Sequence, residues 1–143
     1  MAQPAVATGM LCSQREQKVK QLILANLAEP LEVTELARAC ELSRSHFSRA
    51  FKRTTGVAPR EWIRQQRIKR AKVLITASGL SLTQISQECG FCDQAHFCHL
   101  FSRSEGVNPM TWRKLQLRYR DHLKALQLAI VNCNETVIQN TAS

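Results

Sequence analysis

Two sets of residues in this sequence have the types and spacing to do chemistry. One is Cys89-x-x-Cys92 followed by His96 and His99, four thiol and imidazole groups close enough to surround a zinc ion. The other is a pair of polar stretches some fifty residues apart, Arg44, Ser45, Ser48, Arg49, Lys52 and Arg53, then Gln94, Ala95, Cys98, His99, Ser102 and Arg103. Side chains of this kind match nucleic-acid edges. Arg forks onto guanine, Gln pairs with adenine, Ala meets the thymine methyl, and Ser serves either kind of edge. Catalytic groupings are lacking: there is no Gly-rich phosphate loop, no nucleophile elbow and no pair of carboxylates, and the acidic residues are few and scattered. The chain reads as a binder and not as an enzyme.

An internal repeat decides between the two chemistries. Residues 31–62 match residues 80–112: Leu31, Val33, Leu36, Cys40 and Leu42 correspond to Leu80, Leu82, Ile85, Cys89 and Phe91. After one extra residue in the second copy, His46, Phe47, Phe51, Gly56, Val57, Pro59 and Trp62 correspond to His96, Phe97, Phe101, Gly106, Val107, Pro109 and Trp112. Self-similarity at a fixed offset marks a repeated structural unit. Cys89 thus repeats Cys40, where no ligand set exists, so it is expected to fill a small buried slot, with His96 and His46 at the rim. No metal and no cofactor is expected. A redox role for Cys92 or Cys98, both expected to be exposed, lacks any sign of a lowered thiol pKa.

The elements that must position the polar stretches follow from the repeat. Each copy reads as a short helix, a tight turn and a longer helix. Ser81 with Gln84 makes a capping box for the second short helix, and Glu32 is a poorer cap in the first. Ser43 and Asp93 are placed to N-cap the longer helices, on which Phe47, Ala50, Phe51 and Thr54, and then Phe97, Leu100, Phe101 and Ser104, form inward stripes. A step of 100° per residue from Phe47 turns Ser45, Ser48, Arg49 and Lys52 outward, and from Phe97 it turns out Ala95, Cys98, His99 and Ser102, with Gln94 at the flank. Gly56 and Gly106 end these helices, and Pro59 and Pro109 open the next. Upstream, Ser13 and Glu16 suggest a further capping box before Val19, Leu22, Ile23 and Leu27.

The expected fold is all-α, with about seven helices. Residues 1–12 are expected to be disordered, 13–58 to form the first helix-turn-helix unit, 59–76 a basic connector helix and 77–120 the second unit. Residues 121–143 form a partly helical tail, unstructured from roughly 132. Leu123, Leu126 and Ile130 make an apolar stripe expected to pack on the last helices. Arg67, set among apolar connector residues, is expected to be a structural ion-pair partner. A helix-turn-helix presents its second helix to the major groove. The connector, about 17 residues or ~25 Å long, with its flanking units could set two such helices about one DNA turn (~34 Å) apart.

Several motifs together resemble the DNA-binding region of the AraC/XylS family of bacterial transcription regulators. The connector carries Pro59-x-x-Trp62-Ile63-x-x-x-Arg67-Ile68-x-x-Ala71-x-x-Leu74-Ile75, and the second unit Ile85-x-x-x-Cys89-Gly90-Phe91, Phe97-x-x-x-Phe101, Gly106-Val107-x-Pro109 and Trp112-Arg113. The match covers about residues 15–118. It implies a sequence-specific regulator of double-stranded DNA, whose two recognition helices read successive grooves as a monomer. For stand-alone members it also implies activation through RNA polymerase. His99 departs from the Arg common in the family at that position, which leaves that contact open. About a dozen residues precede the first helix, as in a stand-alone member or a piece of a longer protein.

Charge agrees with this expectation. Twenty Lys and Arg against eleven Asp and Glu give a net +9, and residues 31–79 alone hold a net +7. A small basic protein meets polyanions. The apolar run Leu128 to Val131, which no other run exceeds, cannot cross a bilayer, and neither a membrane nor an export signal is expected. Six cysteines without such a signal read as reduced thiols of the bacterial cytoplasm. The competing readings are an architectural binder without sequence preference, a protein-interaction module, and a metal- or thiol-sensing regulator.

Overall fold

The computed structural model describes residues 9–141, and every regular element among them is a helix. The order is α1 (Ser13–Ala25), α2 (Val33–Ala39), α3 (Arg44–Thr55), α4 (Pro59–Ala77), α5 (Leu82–Glu88), α6 (Gln94–Glu105) and α7 (Pro109–Thr141). The chain divides into two compact units, Met1–Phe97 and Cys98–Ser143, the boundary falling within α6.

The first unit is built round one apolar cluster. Val19, Ile23 and Leu27 from α1 and its exit, Leu36, Ala37 and Cys40 from α2, Phe47, Ala50 and Phe51 from α3, and Ile63 from α4 are all buried together. These positions recur every three or four residues, so each helix turns one stripe inward. Ile68, Ala71, Ile75, Ile85, Cys89, Phe91 and Phe97 bury the apolar faces of α4, α5 and the start of α6. Phe51 meets Trp62 edge-on at 5.9 Å between ring centres, and in the second unit Phe101 meets Trp112 the same way at 5.8 Å. Edge-to-face pairing is a preferred aromatic geometry, and here it repeats with the sequence.

The expected caps are largely in place. Ser43 Oγ accepts from the His46 amide (3.2 Å), Asp93 Oδ1 from the His96 amide (2.7 Å), and Ser81 and Gln84 exchange both bonds of a capping box. Gly56 and Gly106 adopt φ of 86° and 80°, the left-handed conformation that ends a helix. Glu32 starts α2 without a side-chain cap. The box expected at Ser13 does not form: α1 is N-capped by Cys12 with no side-chain bond, and Glu16 instead pairs with Lys20 one turn on, at 2.5 Å.

Both chain ends depart from expectation. Residues 1–8 lie outside the described residues, but residues 9–12 are held in place. Leu11 is buried in the core and its amide donates to Thr54 Oγ1 at 2.9 Å. An apolar side chain with a core slot within reach orders the segment that carries it. At the other end α7 continues through Thr141 where loss of structure was expected from residue 132. No Pro or Gly interrupts residues 110–141, so nothing in the chain stops the helix. Leu123, Leu126 and Ile130 are exposed on it and not packed down as expected.

Candidate nucleic-acid interface

The turn between α2 and α3 sets the angle at which α3 leaves the core. The Leu42 amide donates back to the Ala37 carbonyl at 3.0 Å, and Glu41 supplies the reversal with φ 58°. In the second copy the Phe91 amide donates to the Ser86 carbonyl at 2.9 Å, and Gly90, at φ 78°, stands where Glu41 stands. A side chain in this conformation carries a steric cost that Gly avoids. Gly90 has a second constraint. A Cβ there would lie 2.1 Å from the Leu27 carbonyl oxygen, so only Gly fits.

Arg67 explains why Leu27 comes so close. Its Nε donates to the Leu27 carbonyl and a terminal nitrogen to the Glu29 carbonyl, both at 3.0 Å. Both carbonyls lie in the turn that follows α1, beyond its last helical residue Ala25. Arg67 is therefore structural, but its partners are backbone oxygens and not the carboxylate expected. A guanidinium presents several donors in a fixed fork and can hold two carbonyls at once.

Each polar stretch is gathered on a single helix. On α3, Arg44, Ser45, Arg49, Lys52 and Arg53 are exposed while Ser48 is half-buried beside Phe47. Arg53 lies with its guanidinium over Gly9, against the segment that precedes α1. On α6, Gln94, Ala95, His99 and Arg103 are exposed, whereas Cys98 and Ser102 are half-buried. Ser48, Cys98 and Ser102, all expected to point outward, are thus only partly exposed, and burial pushes the Cys98 thiol pKa up. Ser104, expected within the inward stripe, is exposed.

Gln94 is engaged within the protein. Its Oε1 accepts from Thr83 Oγ1 at 2.5 Å, tying the first turn of α6 to α5. Forked recognition of adenine needs both ends of a Gln amide, so the free conformation presents only the amide nitrogen. Sequence reasoning missed Thr83: it lies on the exposed side of α5, eleven residues from its partner, and no periodicity links the two.

The thiols and imidazoles do not assemble. Among the described residues no three His, Cys, Asp or Glu side chains come close enough to hold a metal ion. Cys89 is fully buried, with desolvation pushing its pKa up to about 11, and Cys92 is exposed. Cys40 occupies the equivalent buried slot in the first copy, and its pKa is raised for the same reason. No described helix is long and apolar enough to cross a membrane.

Known proteins share this arrangement. A family model described as a helix-turn-helix domain matches residues 36–115. The Msm operon regulatory protein of Streptococcus mutans is 34% identical over 76 residues, which make up 53% of this chain and 27% of that protein. The transcriptional activator Btr of Bacillus subtilis is 30% identical over 78 residues, 54% of this chain and 15% of that one. The chain thus spans about a quarter or less of the length of such relatives. Among solved structures, the DNA-binding domain of the transcriptional factor AdpA in complex with a target DNA superposes with a TM-score of 0.71 at 30% identity, covering 73% of this chain and 95% of that domain. An AraC-type regulator from Chromobacterium violaceum gives 0.67 at 28% identity, covering 71% and 90%. The matched family spans more than half of the chain, from the first turn-bearing unit through the second, and the chain belongs to the AraC-type helix-turn-helix family of transcription regulators.

Proposed function

We propose that this chain binds double-stranded DNA sequence-specifically and regulates transcription by occupying its site, with no catalytic step. The observation that carries the reading is the exposed side of α3. Ser45 and Arg49 there are flanked by Arg44, Lys52 and Arg53, on a helix whose N-terminal turn is fixed by the Ser43 cap. Arg49, and on α6 Ala95 and His99, are assigned to base edges, as are Ser45, Ser48, Cys98 and Gln94 once the last releases Thr83. Arg44, Lys52, Arg53, Ser102 and Arg103 are assigned to phosphates, which position the protein without reading sequence. Each chain serves one asymmetric site of about two helical turns, both recognition helices coming from the same copy. The regulator acts as an activator in the bacterial cytoplasm through contact with RNA polymerase, a reading supported by the resemblance to an activator such as Btr.

Selection of bound duplexes from a random pool tests the proposal. One enriched, non-palindromic site of about two turns is expected. Recovery of duplexes without a shared sequence would replace it with the architectural reading.

A further inference from the structure

The second copy of the repeat brings two capped helix starts together. Asp93 Oδ1 accepts from the His96 amide at the start of α6, and the Ser81–Gln84 box fixes the start of α5. Gln94 opens α6, Thr83 lies in the first turn of α5, and both are exposed. Between them Thr83 Oγ1 donates to Gln94 Oε1 at 2.5 Å, within the range of an O–H···O hydrogen bond. The backbone that carries this hydroxyl is anchored in turn, because the Thr83 carbonyl accepts from Oγ of the buried Ser86 at 2.8 Å. A recognition helix reads base edges with its N-terminal residues, and Gln94 stands there.

We propose that Thr83 is a positioning residue for base choice: by holding the Gln94 amide oxygen it lets that side chain serve guanine as well as adenine. The inference rests on the DNA-binding function proposed above. Adenine presents an acceptor, N7, beside a donor, the N6 amino group, so a forked contact needs the oxygen of Gln94 as well as its nitrogen. Guanine presents two acceptors, N7 and O6, and the two N–H groups of Nε2 can meet them while Thr83 keeps the oxygen. Adenine must therefore break the Thr83 bond, and guanine need not. One hydrogen bond between neutral groups shifts such a balance by about 2- to 10-fold. The first copy supplies the contrast. Thr34 matches Thr83 there, but Arg44 matches Gln94. A guanidinium has donors only, so Arg44 cannot accept from Thr34 as Gln94 accepts from Thr83. The threonine recurs without its acceptor, and the device belongs to the second copy.

Selection of duplexes from a random pool, run side by side for the whole parent chain and its variants, is the test. Gln94→Ala marks the position that Gln94 reads, as the one whose base preference it flattens. At that position Thr83→Val, which keeps the shape and loses the hydroxyl, should raise the ratio of adenine to guanine about 2- to 10-fold over the parent. Every other position should stay as it was. Thr83→Ser, which keeps the hydroxyl, should show the parent ratio, and Thr34→Val should move no adenine-to-guanine ratio. In the Gln94→Ala background Thr83→Val should change nothing further. The proposal is overturned by an unmoved ratio in Thr83→Val, by Thr83→Ser behaving as Thr83→Val does, or by the same shift from Thr34→Val. It is overturned equally by a Thr83→Val effect that survives Gln94→Ala, or by a Gln94→Ala variant that flattens no position. A parent that enriches no sequence faults the function proposed above and this inference with it, whereas a parent with a clear site and an unmoved ratio faults this inference alone.

Discussion

Arg49 and His99 hold equivalent exposed places on α3 and α6, and their chemistry separates them. Arg forks onto guanine, a contact worth about 1–3 kcal/mol of discrimination, while the imidazole of His cannot fork in this way and has a shorter reach. Arg49→Ala should lose more affinity for the selected site than His99→Ala and relax base choice at one position, while its binding to random DNA falls much less. Competition between selected and scrambled duplexes at equal salt measures this, and equal losses on both would make Arg49 a phosphate clamp. Cys89 acts on the fold and not on DNA. Burial raises its pKa from 9.0 to about 11, so the fold favours the neutral thiol. That contribution is fully present below about pH 9 and is lost as pH rises toward 11. Urea unfolding at about pH 8.5 and 10.5 should show a steeper loss of stability for the parent than for Cys89→Ala. Parallel declines would refute the assignment.

At the scale of the elements, the two helix-turn-helix turns solve one problem with different residues. Glu41 holds φ 58° with a side chain and Gly90 holds φ 78° without one. Removing a left-handed side chain recovers ~1–2 kcal/mol, less the greater chain entropy of Gly. Glu41→Gly should therefore stabilise by about 0.5–1 kcal/mol. Gly90→Ala should cost ~2 kcal/mol or more, because its Cβ would meet the Leu27 oxygen. Urea midpoints of the two variants should move in opposite directions, and a shared direction would contradict this account of the turn. The repeat itself was legible in the sequence because both copies bury the same stripe: Phe47 with Phe51 and Phe97 with Phe101 are wholly buried. Caps at Ser43, Ser81 and Asp93 were legible too, since each acts within three residues. What stayed hidden depends on distant groups. Arg67 reaches carbonyls 38 and 40 residues away, and Thr83 holds Gln94 from another helix. The end of α7 was misread for another reason: its exposed apolar residues look like tail until the helix is seen to run unbroken to Thr141.

At the scale of the whole molecule, the account rests on a basic chain whose charge is concentrated where α3 and the first part of α4 lie. If about six phosphates are neutralised, the logarithm of affinity should fall against the logarithm of salt with a slope near −5. A nearly flat response from low to physiological salt would remove the nucleic-acid reading altogether. Salt dependence alone does not separate a reader of sequence from a coat of charge, because counterion release is indifferent to bases. The deciding measurement is therefore the ratio of affinities for the selected duplex and a scrambled duplex of equal length, taken at physiological salt. The account predicts a preference of ~10³-fold or more, with one chain per site; a ratio near one would contradict it.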